Sequence, residues 1–218
     1  MSTIKIRILA ASLALFAVSA FAEPLRIVQD PARNRTWRLE RDAVYMQEAA
    51  KTRRIELPGW LHADDSWVCR PDLAIDARGA AVVTSNVAPI VWRIDPETSA
   101  VSQHELILDA EQGKEVGFTG LTYASDQDAF FAVSASQGSL WRIDPLLRRA
   151  QNIPTSQPLR NACSLSVERT KTRRSLVLCV RGVPAPRRVH LTPDQRSAYV
   201  RYEACLEQAA DADIAFIK

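Results

Sequence analysis

Glycine is scarce, with seven residues in 218, and methionine (two), histidine (three) and cysteine (four) are sparser still. So little glycine excludes a collagen-like rod. Four cysteines in a chain of this length exclude a disulfide-dense miniprotein, whose bridges replace a core. No Gly-x-Ser-x-Gly elbow, Gly-rich phosphate loop, His-Glu-x-x-His word or Cys-x-x-Cys pair occurs anywhere. The common nucleophile, nucleotide, zincin and thiol-redox signatures are therefore missing. Lysine is rare too, so that 23 of the 28 basic residues are arginine. What remains is ordinary: 47% hydrophobic and 24% charged residues exclude a disordered chain. A net charge of +3 is too small to indicate a nucleic-acid binder, and none is expected as a partner.

One long apolar run exists, at residues 8–21. Lys5 and Arg7 precede it, and Ala20-Phe21-Ala22 and then Glu23-Pro24 follow. A basic start, a short apolar stretch and a small-x-small exit describe a secretory signal peptide. Fourteen residues fall short of the roughly 20 that a spanning helix needs. We therefore expect cleavage after Ala22, no transmembrane segment in the mature chain, and a periplasmic or secreted protein. Cleavage leaves a net charge of +1, unevenly spread: residues 23–128 sum to −6 and residues 129–218 to +7. Residues 142–201 alone sum to +10, with the doublets Arg148-Arg149, Arg173-Arg174 and Arg187-Arg188 near expected turns.

Export places Cys69, Cys163, Cys179 and Cys205 where disulfides persist. Four cysteines allow three connectivities. The polar segment 168–174 reads as the turn of a hairpin centred on Lys171, which sets Cys163 opposite Cys179. Cys69 then pairs with Cys205 by elimination.

A repeat runs along residues 23–218. Pro71-Asp72-Leu73-Ala74-Ile75-Asp76, then residues 80–85, then Trp92-Arg93-Ile94-Asp95-Pro96 form one copy. Residues 119–124, then 129–134, then Trp141-Arg142-Ile143-Asp144-Pro145 form the next, 49 residues later. A weaker third copy uses residues 163–167, 176–180 and 188–193, and a divergent unit with strands near 36–39, 43–46 and 54–57 precedes them all. Runs of four to six β-branched and aromatic residues between turn residues read as strands. Fourth strands are expected at 105–108 and 150–153. Four short strands per 40–50 residues is the period of a propeller blade. We expect an all-β, propeller-like domain over 23–218, with units near 23–62, 71–109, 118–155 and 161–200. Residues 214–217 could supply a closing strand, while 198–210 read as partly helical. Scarce glycine counts against so many turns, and an open array or curled sandwich is the alternative.

The string PDLAIDARGAAVVTSNVAPIVWRIDPETSAV resembles a blade of the NHL-repeat, gluconolactonase/regucalcin-like and virginiamycin B lyase-like propellers. The resemblance covers about residues 71–155 well and 161–193 weakly. It implies that ligands meet the axis, at loops that here offer Arg70, Asp72, Asn86, Asn161 and Arg181. In lactonase-like members that place holds a divalent metal such as Ca²⁺ on carboxylate and amide oxygens, which Asp72, Asn86 and Asn161 could imitate. The resemblance supplies no matching Glu, and Asp72 and Asn86 read as well as turn residues. Recurrence once per blade makes the Trp-Arg-Ile-Asp-Pro word structural, with Trp92 and Trp141 packed between sheets. His62-Ala63-Asp64-Asp65 reads as a solvated loop, and His104 and His190 as ordinary sheet residues. The reading that follows is a non-catalytic binding protein with no cofactor. Its Arg-rich face suits an anionic partner, whether polysaccharide, lipid headgroup or acidic protein. A small metal-dependent lactonase- or lyase-like enzyme is the alternative, and self-assembly of an incomplete ring is a third.

Overall fold

A computed structural model describes residues 23–63, 69–109, 116–168, 176–182, 185–201 and 205. The signal-peptide expectation and the closing strand at 214–217 lie outside these residues. The described chain is almost entirely strand and turn. Strands β1 (Arg26–Asp30), β2 (Arg35–Leu39), β3 (Val44–Glu48) and β4 (Lys51–Ile55) form the first antiparallel sheet. The second holds β5 (Leu73–Ile75), β6 (Ala81–Thr84), β7 (Ile90–Ile94) and β8 (Val101–Glu105). The third holds β10 (Gly120–Ala124), β11 (Ala129–Ser134), β12 (Ser139–Ile143) and β13 (Arg149–Ile153). The fourth holds β14 (Ala162–Glu168), β15 (Val177–Gly182), β16 (Arg187–Leu191) and β17 (Ala198–Arg201). The sheets stand in a ring as four blades. First strands lie against first strands, β1 by β5, β5 by β10 and β10 by β14.

Burial explains why the middle repeats are the legible ones. The second and third blades are covered on both faces, so β6 and β11 are buried at every residue. Such strands read as unbroken apolar runs. The first blade alternates instead: Trp37 and Leu39 are buried in β2 while Arg38 between them is half-buried. Among the described residues three buried apolar clusters join successive blades. The first joins Trp37, Leu39 and Met46 to Leu73, Val83 and Trp92. The second joins Val82 and Val91 to Leu121, Phe130 and Trp141. The third joins Phe131, Val133 and Leu140 to Leu165, Leu178 and Val189. Each large buried side chain stabilises by about 1.5–3 kcal/mol, so these clusters dominate any single polar contact in holding the ring. Trp92 and Trp141 do pack between sheets, and Trp92 also donates its indole N–H to the Pro58 carbonyl at 2.9 Å. Asp95 and Asp144 organise turns, Asp95 accepting from the Thr98 N–H at 2.8 Å and Asp144 from the Arg148 N–H at 2.9 Å.

The glycine shortage is met by other residues. Asn34, Ala49, Ser99, Asp128, Leu147, Asn161 and Gln195 adopt positive φ, against Gly59, Gly79 and Gly138. Turn geometry is thus kept at some strain, since the left-handed region costs an L-residue about 1–2 kcal/mol.

Four expectations need correction. The bridges are Cys69–Cys163 and Cys179–Cys205, with Cα–Cα distances of 4.8 and 5.5 Å. The β14–β15 hairpin pairs Cys179 with Ser166, and an irregularity between Ala162 and Ser164 takes Cys163 out of the ladder. The hairpin is therefore centred beyond Lys171, and Cys163 stands three residues along the strand from the partner of Cys179. Cys69–Cys205 falls with it. Residues 105–108 do not form one fourth strand. β8 ends at Glu105, and Ile107–Leu108 (β9) crosses to pair in parallel with β13 at the outer edge of the next blade. Thr155 makes a matching parallel bridge to Ala198 on β17. Finally, residues 198–201, the described start of the segment read as partly helical, are strand. No helix among the described residues is long and apolar enough to cross a membrane.

Candidate functional site

Asp72 lies one residue before β5, fully buried where the first strands meet. Its own N–H donates to Thr84 Oγ1 at 2.8 Å, which fixes it to β6. Its Oδ1 accepts from the Leu73 N–H at 2.8 Å, and its Oδ2 accepts from the Leu121 N–H of β10, also at 2.8 Å. Arg26 Nε of β1 stands 3.1 Å from Oδ1. One carboxylate therefore ties three innermost strands. The Arg26 N–H is buried yet makes no hydrogen bond, so its tie to Asp72 is Coulombic and a donor is left over. Burial pushes the Asp72 pKa up; Arg26 and the two backbone N–H groups pull the other way without overcoming it. The ladder register puts Gly120 where Asp72 stands in the preceding blade. A Cβ there would come within 3.0 Å of the Leu165 nitrogen. The third and fourth blades meet too closely for a side chain, while Asp72 fills the wider gap before them.

A loop is fastened above this point. Asn86 Nδ2 donates to the carbonyls of Ala63 (2.7 Å) and Cys69 (3.0 Å), and its Oδ1 accepts from the Ala63 N–H at 2.9 Å. Ser85 Oγ donates to the Leu61 carbonyl at 2.6 Å. Cys69 then bridges to the exposed Cys163 at the start of β14. Between these walls lies a pocket of about 280 Å³, lined by Arg26, Arg70, Asp72, Ser164 and the Cys69–Cys163 bridge. Arg26 and Arg70 both border it, and Arg26 brings a buried Nε–H that makes no hydrogen bond.

Of the residues expected at the axial loops, Arg70 and Asp72 line this pocket. Asn86 is behind it with its amide fully engaged. Asn161 is exposed at φ 58°, two residues from the bridge. Arg181 is exposed and opposite Ser164 in the β14–β15 ladder. The side-chain oxygens of Asp72 and Asn86 already accept backbone N–H groups, and neither Asn86 nor Asn161 lines the pocket. Glu168, Cys179 and Cys205 do group within 4.8 Å, but the two sulfurs are bonded to each other and are not thiolates. His62 stacks on Trp60 with ring centroids 4.0 Å apart. His104 hydrogen-bonds Ser102, and burial lowers its pKa. Asp64 and Asp65 lie outside the described residues. Arg26 and Ser164 escaped the sequence reading. Arg26 sits in the divergent first unit, outside every repeated word, and nothing in its neighbours marks it.

No family model and no curated protein matches this chain. Solved structures do. Virginiamycin B lyase from Staphylococcus aureus superposes with a TM-score of 0.61 at 17% identity, over 84% of this chain and 56% of that one. An auxiliary nutrient-binding protein from Bacteroides ovatus gives 0.58 at 12%, over 85% and 48%. Hydrazine synthase from Kuenenia stuttgartiensis gives 0.59 at 12%, over 89% and 53%. The fold is a β-propeller. The propeller chain spans about half the length of these structures, which share its fold at identities too low to carry activity with it. The resemblance to virginiamycin B lyase-like blades is thus a resemblance of architecture. The two disulfides of this propeller are compatible with an oxidising, exported setting.

Proposed function

We propose that this propeller is an exported binding protein that takes a small anionic ligand at its axial mouth. The observation that carries the reading is the pocket of about 280 Å³ lined by Arg26 and Arg70, in which the buried Arg26 Nε–H lies beside the Asp72 carboxylate without a hydrogen-bond partner. That carboxylate already accepts two backbone N–H groups, so the Arg26 Nε–H is left as a donor for a ligand. Arginine remains charged at any working pH and suits carboxylate or phosphate oxygens. The bridge and the Asn86 clamp hold both walls in place, which lowers the ordering cost of binding. Nutrient-binding proteins among the similar structures are consistent with such a role. The likeness to a lyase keeps an enzyme reading as the alternative.

Thermal-shift titration with small carboxylates, in a phosphate- and sulfate-free buffer, tests this. One or more should raise the melting temperature of the wild type and much less that of Arg26→Gln. An equal response in both proteins, or none in either, refutes the assignment. Stabilisation by Ca²⁺ that EDTA reverses favours the enzyme instead.

A further inference from the structure

The two arginines of the repeated word have different fates. Arg93 of β7 pairs with Asp76, Nη2 to Oδ2 at 2.5 Å, and donates from Nη1 to the Pro145 carbonyl of the next blade at 3.3 Å. It is both neutralised and used as an inter-blade tie. Arg142 is its counterpart in β12. The ladders pair Leu73 with Val83 and Leu121 with Ala132, so the register position of Asp76 falls on Ala124. The carboxylate is gone, and Ala124 is buried. Arg142 Nε is buried without a hydrogen-bond partner, and among the described residues no carboxylate forms an ion pair with its guanidinium.

Nearby acids are committed elsewhere. Asp144 accepts from the N–H groups of Leu146, Arg148 and Arg149 in its own turn. Asp128 accepts from the Tyr123 hydroxyl, and Asp194 of the facing blade from Thr192 Oγ1 and the Arg196 N–H. Asp109, whose place in the β9–β13 register falls beside Gln151, is engaged too, its Oδ1 accepting from the Asn152 N–H at 2.7 Å. Leu140 and Ile153 pair and both face the fourth blade, so Arg142 and its ladder partner Gln151 share that face, with Arg149 diagonal to them. The side chains of Gln127 and Gln195 meet across the groove and hold its walls together.

We propose that the outer groove between the third and fourth blades is an oxyanion site, in which a phosphate or sulfate group takes the place that Asp76 holds one blade earlier. Arg142 supplies the planar fork that such groups accept in pairs, Arg149 adds charge, and Gln151 adds an amide donor. The site is separate from the axial mouth and does not depend on it.

The test uses the whole mature protein. Melting temperature and isothermal titration are measured with inorganic phosphate and sulfate against chloride at matched ionic strength. Sugar phosphates form a second arm, distinguishing a free ion from a ligand that carries the group. The wild type should be stabilised by phosphate beyond chloride. Ala124→Asp, which restores the carboxylate, should raise the melting temperature in chloride and abolish the phosphate increment. Arg142→Gln should weaken phosphate binding at least tenfold, and Arg26→Gln should leave it intact. Absence of the increment from the wild type, or its survival in both Ala124→Asp and Arg142→Gln, overturns the proposal. So does its loss in Arg26→Gln alone, which would assign the anion to the axial mouth.

Discussion

Replacing Asp72 should do more damage than any other change at a single axial side chain. Asp72→Ala orphans the Leu73 and Leu121 N–H groups, both buried and both bonded at 2.8 Å. Each abandoned donor costs about 1–3 kcal/mol. The lost Arg26 pair adds little, because Arg26 is 38% exposed and water screens it. Relief from burying an anion works the other way, so the net loss should be about 2–4 kcal/mol. For a chain of this size that lowers the melting temperature by on the order of 10 °C. Asp72→Asn retains one acceptor and should lose about half as much. The pH dependence has a definite sign. Burial holds the folded pKa of Asp72 above its unfolded value. Its contribution is then largest below the ordinary carboxylate range and is lost as pH rises through the folded pKa. Asp72→Asn should remove that part of the slope. Urea melts at several pH values measure both effects. Asp72→Ala within about 0.5 kcal/mol of wild type, below the cost of even one orphaned donor, would refute the claim that this carboxylate ties the inner strands.

Two further outcomes follow from the chain trace. Non-reduced peptide mapping should recover Cys69–Cys163 and Cys179–Cys205; in the loop-entropy estimate the first, closing 94 residues, contributes about 4.7 kcal/mol and the second, closing 26, about 3.5. Serine pairs at each bridge should therefore differ in denaturation midpoint, the Cys69/Cys163 pair being the less stable. Ala49→Gly should stabilise by about 1 kcal/mol, because the exposed Ala49 sits at φ 50° and glycine carries no left-handed penalty; a lower melting temperature would contradict the strain assigned to that turn.

The middle blades were readable because burial on both faces leaves an uninterrupted apolar run. The repeated tryptophan word then fixed their spacing. What escaped depends on pairings between repeats. The register sets Ser166, not Cys163, opposite Cys179, so the hairpin centres beyond Lys171 and counting from Lys171 joined the wrong cysteines. The crossing of Ile107–Leu108 to β13 is a contact between one unit and the next, and no pattern within a unit encodes it. Asp72 drew attention as a turn residue or ligand, yet its carboxylate reaches the backbone of the following blade. Asn86, likewise a candidate ligand, clamps a loop through contacts 17 and 23 residues away in sequence. Arg26 had no signal at all, since its meaning comes from Asp72, 46 positions on.

The parallel crossings of Ile107–Leu108 onto β13 and of Thr155 onto Ala198 overlap the blades like roof tiles. Each overlap covers the rim of the blade that follows, hiding main-chain groups that would otherwise invite edge-to-edge aggregation. It also couples their openings. Lifting Ile107–Leu108 bares the rim of the third blade, and lifting Thr155 loosens that of the fourth. Local fluctuations should therefore spread in chain order, from the second blade to the fourth. Hydrogen-exchange protection along β13 and β17 would consequently depend on the integrity of the blade that comes before each.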